Sequence, residues 1–327
     1  MYPETIAKEG VAILRFVVQR LAQSLIVILI VTLITFFLVN LAPGGPSAVM
    51  RIEATQAERE AILARMGLDK PVAVRYVQWL AGAVTGNLGT SLATSQPVVK
   101  RIAERFPFTA LLTLCTMIVS VTAGIVLGVV SAVHRNSLLD YAAGFLSVVG
   151  LSVPAFWLGI MLILLFSVNL HWLPSSGIAA GGNGFDLADR VSHLIMPVLV
   201  LSTTTLPNIV RFTRSAMLEV IFQDFVRTAR AKGVSGLGVI YRHALRNALI
   251  PVVSMIGVMV PRLMGGAVIT EAVFGWPGMG QLVVESANGR DYPLAMGVTV
   301  VVTIIVVLTN LLVDVVYSRI DPRIRMT

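Results

Sequence analysis

The sequence predicts an all-α integral membrane protein of six transmembrane helices, with both termini cytoplasmic. Three observations predict it. Of 327 residues, 56% are apolar and only 13% charged, and the mean hydropathy is +0.85; a soluble domain is about half apolar and about a quarter charged. Charge-poor runs near the roughly 20 residues needed to cross a bilayer recur six times. The net charge of +8 is also unevenly placed. Once the long segment 42–107 is set aside, segments on one side of the runs hold 14 Lys/Arg and those on the other hold 2. The basic side of short loops is the cytoplasmic one.

The elements follow in order within a single transmembrane domain. Residues 1–20 form a cytoplasmic segment. Span one is 21–41, charge-free, too long for a signal-peptide core and preceded by charged sequence, so it reads as uncleaved. The outer segment 42–107 leads to span two, 108–133, where Gly124 and Gly128 have the spacing of close helix packing. After a short inside turn comes span three, 141–170, with Pro154 in its middle. Span four is 194–210. The inside segment 211–247 is followed by span five, 248–270, interrupted by Arg262. The outer loop 271–293, span six, 294–317, containing Asp314, and the cytoplasmic tail 318–327 complete the chain. Cys115 is the single cysteine, which excludes an internal disulfide and reads as a small buried hydrophobe. The four histidines have no metal-ligand spacing.

The outer segment reads as ordered. Thr55 and Glu58 have capping-box spacing, and Gly67 is suited to end that helix. Asp69 and Pro71 begin another, whose Val72, Tyr76, Leu80 and Ala83 form one stripe for docking on the membrane surface or on other spans. Gly82, Gly86 and Gly89 mark a turn-rich return. The segment is either an ordered cap or a landing surface for an extracytoplasmic partner. The piece around Trp276, Pro277 and Gly278 is a re-entrant turn, a Trp-anchored interfacial piece or a folded loop.

The inside segment 211–247 stands out, with seven Lys/Arg and two acids. Asp224 is placed to cap a short helix from Phe225 to Lys232. Gly233 breaks it by accepting a left-handed conformation. A second helix then runs to about Leu249, where Pro251 enters span five. This exceeds what joining two spans requires. It is either a basic anchor on anionic lipid or a rigid lever held by a cytosolic protein.

Arg227-Thr-Ala-Arg-Ala-Lys-Gly233 through Arg242-His-Ala-Leu-Arg-Asn-Ala-Leu-Ile-Pro251 resembles the EAA loop of binding-protein-dependent ABC importer permeases, in the version of the dipeptide/oligopeptide/nickel branch. Against E-A-A-x3-G-x9-I-x-L-P the chain keeps Ala229, Gly233 and Leu245, and carries Arg227, Thr228, His243 and Arg246 at four other positions. The resemblance extends through Leu41-Ala-Pro-Gly-Gly-Pro46, Gly67-Leu-Asp-Lys-Pro71, Gly86-Asn-Leu-Gly-Thr-Ser91, Ser152-Val-Pro-Ala-Phe-Trp-Leu-Gly159, Glu271-Ala-Val-Phe-Gly-Trp-Pro-Gly278, Arg290-Asp-Tyr-Pro293 and Asp321-Pro-Arg-Ile324. The long outer segment is like that of the family's B-type subunit.

The resemblance implies a type I ABC importer permease fold in the prokaryotic inner (plasma) membrane. It implies half of a translocation pathway for peptides, a second (C-type) permease, two P-loop ATPases and an extracytoplasmic binding protein. The chain has no G-x-x-x-x-G-K-[ST], so it is expected to be no enzyme and to hold no cofactor, with ATP and Mg bound by the partner ATPases. The expected ATPase-coupling residues are Asp224, Phe225, Arg227, Ala229, Arg230, Ala231, Lys232, Gly233, His243 and Leu245. Ala229 and Ala231 permit close approach, while Arg227, Arg230 and Lys232 face acids on the ATPase. Nothing suggests a nucleic-acid partner.

Candidates for the translocation path are Ser254, Arg262, Pro154 and Asp314. Ionisable residues within spans face a cavity or a partner. Arg262 either lines the path, attracting a peptide carboxylate, or makes a structural ion pair with Asp314 or with the second permease. Pro154 and Pro261 permit kinks that suit a moving gate or are simply tolerated. The alternative function is a proton-coupled secondary transporter using Asp314, but inverted repeats and a midplane carboxylate are missing. An intramembrane hydrolase is disfavoured because His134, His171, His193 and His243 all lie at or beyond span ends.

Overall fold

The computed structural model describes residues 3–41, 70–179 and 186–320, with side chains except at 3–17, 254, 262, 265, 266 and 314–320. The expected features at Thr55, Glu58, Gly67 and Asp69 lie outside the described residues, as do the side chains of Ser254, Arg262 and Asp314.

The described residues form helices and no β-strand. These are α1 Pro3–Leu41, α2 Val72–Val84, α3 Val98–Val133, α4 Leu138–Ser152, α5 Ala155–Leu162, α6 Leu187–Ile221, α7 Asp224–Ala231, α8 Arg246–Val273, α9 Met279–Asn288 and α10 Tyr292–Ile320. Among the described residues five helical stretches are long and apolar enough to cross a membrane, and the pair α4 and α5 makes a sixth if it counts as one span.

Two expected boundaries differ. The run 141–170 is two helices bent by 100°. Pro154 supplies no N–H to the Gly150 carbonyl, and it holds the residue before it extended, with Val153 at φ −82°, ψ 124°. A π-helical stretch, Ile163–Asn169, continues α5. The fourth run, 194–210, is only the apolar middle of α6, because a helix continues past the point where its sequence turns polar.

The chain divides into two compact units. The first comprises Met1–Thr109 and Pro277–Val307. In it α2 packs on α1 through Tyr76 of its expected stripe, with Arg75 and Trp79 beside it. Tyr76 Oη lies 3.0 Å from the Thr32 hydroxyl, the Tyr76 and Phe36 rings meet edge-on at 5.4 Å, and the Arg75 guanidinium sits 5.8 Å from the Phe36 ring centroid. Beyond α2 the chain turns at Gly86 (φ 83°) and Gly89 (φ 87°), a conformation in which a β-carbon is strained. The carboxylate of Asp291, 1% exposed, holds the returning loop. It accepts from the Ser91 hydroxyl and from the backbone N–H groups of Leu92 (3.1 Å), Ala93 (3.3 Å) and Leu294 (3.2 Å). Leu88, Val98, Ile102, Met279, Leu282, Leu294 and Val298 form the core beneath it. Arg101 pairs with Glu285 at 2.9 Å across this core's rim.

The second unit comprises Ala110–Trp276 and Leu308–Thr327. Its centre is α6, packed against α3, α4, α5 and α8. A β-carbon on Gly124 would stand 2.7 Å from Ile209 Cβ, and one on Gly128 would stand 2.6 Å from Thr213 Cβ. The two glycines therefore let α3 approach α6 closely, as their spacing predicts. Gly150 of α4 is set likewise against the Thr203 carbonyl, and Gly159 of α5 against Val273 and Phe274. Val129, Ala132, Ile209, Ala216, Met217, Ala244, Ala248, Val252 and Met259 form a shared core of α3, α6 and the α8 region. After α8, Gly275 turns at φ 55°, and Trp276 is buried at 2% exposure with its backbone N–H on the Glu271 carbonyl at 2.8 Å. Trp276 is thus buried within the protein and not set at a lipid interface.

Candidate functional site

The segment from Ile221 to Leu249 is built as a short helix clamped to its own chain. α6 ends at Ile221, and Gln223 takes an extended conformation as the cap of α7. Asp224 was expected to cap this helix. Instead it is the first helical residue, and the Gln223 carbonyl accepts the N–H groups of Val226 (3.0 Å) and Arg227 (3.2 Å). Asp224 meets Arg227 at 3.7 Å with both side chains largely in solvent, a pair worth little in stability.

α7 ends as its sequence predicts. Gly233 has φ 80°, and nothing lies within 4 Å of where a β-carbon would stand. Its N–H reaches the Arg230 carbonyl at 3.0 Å, and the Val234 N–H reaches Ala229 at 3.2 Å. This pair of bonds is the Schellman arrangement, completed by apolar contact between its ends. Val226 and Ala229 are buried against Val239, with Val220 and Val234 around them. Ala229, expected at a close external approach, spends its small side chain inward, because it lies on the stripe of α7 that faces Val239. Ala231 remains exposed.

The chain then runs into the membrane helix without a gap. Ser235 caps the turn Gly236–Gly238, accepting from the Gly238 N–H at 3.3 Å. A π-helical stretch, Val239–Leu245, passes directly into α8. The expected boundary at 247/248 therefore falls inside continuous helix, since Ala244 and Ala248 are consecutive contacts of one buried face. His243 and Leu245 are half-buried, Leu245 against that same core.

The outward surface carries Phe225, Arg227, Thr228, Arg230, Ala231 and Lys232 on and after α7, with Arg242 and Arg246 beyond. Sequence reasoning missed Phe222, Leu237 and Tyr241, which are 60%, 70% and 59% exposed. Their signal was present, as large apolar residues in the most basic segment of the chain. Upstream, Arg214 of α6 binds Asp140 at the start of α4, which also accepts from the Ser131 hydroxyl of α3. Pro154 caps α5 at the 100° break and is exposed. Among the described residues no group of His, Cys, Asp and Glu is arranged to hold a metal.

Span-length apolar helices with an exposed basic helical segment between two of them define a polytopic membrane component. The family described as "Binding-protein-dependent transport system inner membrane component" matches residues 124–326, and its N-terminal counterpart matches residues 13–113. The chain belongs to this family and is a multi-pass inner-membrane permease component.

It is similar to the oligopeptide transport system permease protein AppB of Bacillus subtilis, 42% identical over 94% of this chain and 98% of that protein. It is also similar to the dipeptide transport system permease protein DppB of Escherichia coli, 40% identical over 95% and 99%. Among solved structures, an inward-facing form of the MetNI methionine ABC transporter aligns with a TM-score of 0.54, at 19% identity, over 67% of this chain and 96% of that chain. The fold is that of the type I ABC importer permeases.

Proposed function

We propose that the chain forms half of the translocation pathway of an ATP-driven importer for peptides delivered by an extracytoplasmic binding protein. It works beside a second, C-type permease and two P-loop ATPases, with both of its termini cytoplasmic. One observation carries the reading: α7 is fastened by Val226, Ala229 and the Gly233 turn to a stretch that enters α8 unbroken. A displacement of α7 therefore reaches a membrane helix through a packed four-residue turn. The relatives named for oligopeptide and dipeptide transport support the peptide assignment, and the basic inside segments support the orientation.

In this mechanism the exposed side chains Phe225, Arg227, Arg230, Ala231 and Lys232 meet the ATPase. Ala229, Gly233, His243 and Leu245 keep the lever stiff. The ATPase closes on ATP and biases a two-state arrangement of the spans, because it binds the lever differently in the two states. The chain carries no phosphate-binding loop of its own, so the energy enters through this contact. The test is uptake of a labelled dipeptide by proteoliposomes holding the four-subunit complex and supplied with binding protein. Uptake that requires ATP is expected. Uptake driven by a proton gradient without ATP would overturn the reading in favour of a secondary transporter.

A further inference from the structure

We infer that one face of α6, bearing Thr204, Asn208 and Arg211 beside the helix break at Ser152–Pro154, lines the solute path and takes a short extended peptide; this rests on the function proposed above. Thr204 is the middle residue of the 35-residue helix α6. Thr204 and Arg211 are exposed and Asn208 half-exposed, while Ile209, Thr213 and Met217 on the other side are buried. Spacings of four and three residues put Thr204, Asn208, Arg211 and then exposed Ser215 on a single face. An amide on the open face of a span is costly against hydrocarbon and belongs to a wet cavity, and Arg211 stands just beyond the apolar run 194–210, at the inner mouth of that face.

The break between α4 and α5 stands at the same level. A β-carbon on Gly150 would lie 3.1 Å from the Thr203 carbonyl and 3.4 Å from Pro207. Ser152 and Pro154 follow within four residues and are exposed. Irregular backbone at membrane depth is tolerated where it lines such a cavity.

The polar groups have a direction. The Thr204 hydroxyl donates to the Leu201 carbonyl at 2.8 Å, and Asn208 Nδ2 donates to the Thr204 carbonyl at 3.0 Å. These bonds occupy the single Thr204 donor and one of the two Asn208 N–H groups, and leave the hydroxyl lone pairs and the Asn208 amide oxygen as acceptors. Acceptors at mid-helix suit peptide N–H groups or an amino terminus, and Arg211 suits a carboxylate. Thr204 and Arg211 are separated by about 10 Å along the axis at about 1.5 Å per residue. An extended peptide of about three residues covers the same length.

The test uses the assembled complex with Cys115→Ala as background. Thr204→Cys and Asn208→Cys should react with the hydrophilic reagent trimethylammonium-ethyl methanethiosulfonate at least about ten times faster than Ile209→Cys, and trialanine should slow both. Two unreactive cysteines would overturn the path, because the face would then be covered by the second permease or by lipid. Reactive cysteines that trialanine leaves unprotected, in a complex that transports it, would overturn the peptide assignment. Reactive cysteines in a complex that moves no peptide would leave the path standing and overturn the proposed function.

Discussion

Arg214 grips Asp140 with two nitrogens, Nε to Oδ1 at 2.7 Å and a terminal nitrogen to Oδ2 at 2.8 Å. The Ser131 hydroxyl and the Asn136 N–H (3.0 Å) complete the carboxylate's partners. This one carboxylate ties together the end of α3, the start of α4 and α6, ten residues before α7 begins. Bidentate pairs of this kind fix geometry as well as supplying energy.

Arg214→Met should destabilise the purified complex by about 2 kcal/mol. That is less than the roughly 3–5 kcal/mol of a fully buried pair, because the Arg214 side chain is 34% exposed. Thermal unfolding in detergent measures it. A double-mutant cycle with Asp140→Asn should show strong non-additivity, and additive effects would mean that the two side chains do not cooperate.

Gly233→Val should loosen the end of α7. A β-branched residue at φ 80° costs about 1–2 kcal/mol, whereas asparagine visits that region more readily. Transport per ATP hydrolysed should fall in Gly233→Val and recover largely in Gly233→Asn. Equal loss in both would point to the glycine's size instead of its backbone angle.

Gly128→Val should disrupt the seam between α3 and α6, since its β-carbon alone would come 2.6 Å from Thr213 Cβ and 2.8 Å from the Val210 carbonyl. Overpacking of this sort costs about 1–3 kcal/mol. The yield of folded protein and its melting temperature should both drop. Gly144→Val should be mild by comparison, because nothing lies within 4 Å of a β-carbon there.

Asp291→Ala should free the loop 86–97. It strands the buried Ser91 hydroxyl and Leu294 N–H, and removes the acceptor of the part-buried Leu92 and Ala93 N–H groups, at a cost of about 2 kcal/mol. Limited proteolysis should then cut this loop in the variant, and wild type should resist.

Arg227→Glu with Arg230→Glu should weaken retention of the ATPase, and in wild type that retention should fall as salt rises. Both side chains are exposed, so folding should be unaffected. Unchanged co-purification would remove charge from the coupling contact.

Much of this was legible because bilayer chemistry is written in local composition. Apolar runs located α1, α3, α6, α8 and α10, and Gly124 and Gly128 announced the close seam between α3 and α6. Gly233 ended α7 where a residue free to turn left-handed stood. Helix ends and inner faces were harder to read. Asp224 looked like a cap, yet the backbone of Gln223 took that place. Ala229 looked like an external contact, yet the phase of α7 turned it toward Val239. Phase depends on where a helix docks, which no window of sequence contains.

The sequence by itself determined a chain of membrane-spanning helices, its charge asymmetry and the position of a basic lever, since hydropathy, charge and glycine act over a few residues. Only the tertiary structure decided that Asp140 meets Arg214 across 74 positions, that Asp291 holds a loop 200 positions away, and that the third run breaks beside the middle of α6. Such relationships depend on which helices lie side by side. Packing settles that by bringing glycines against bulky neighbours and buried charges against their partners, whatever their distance along the chain.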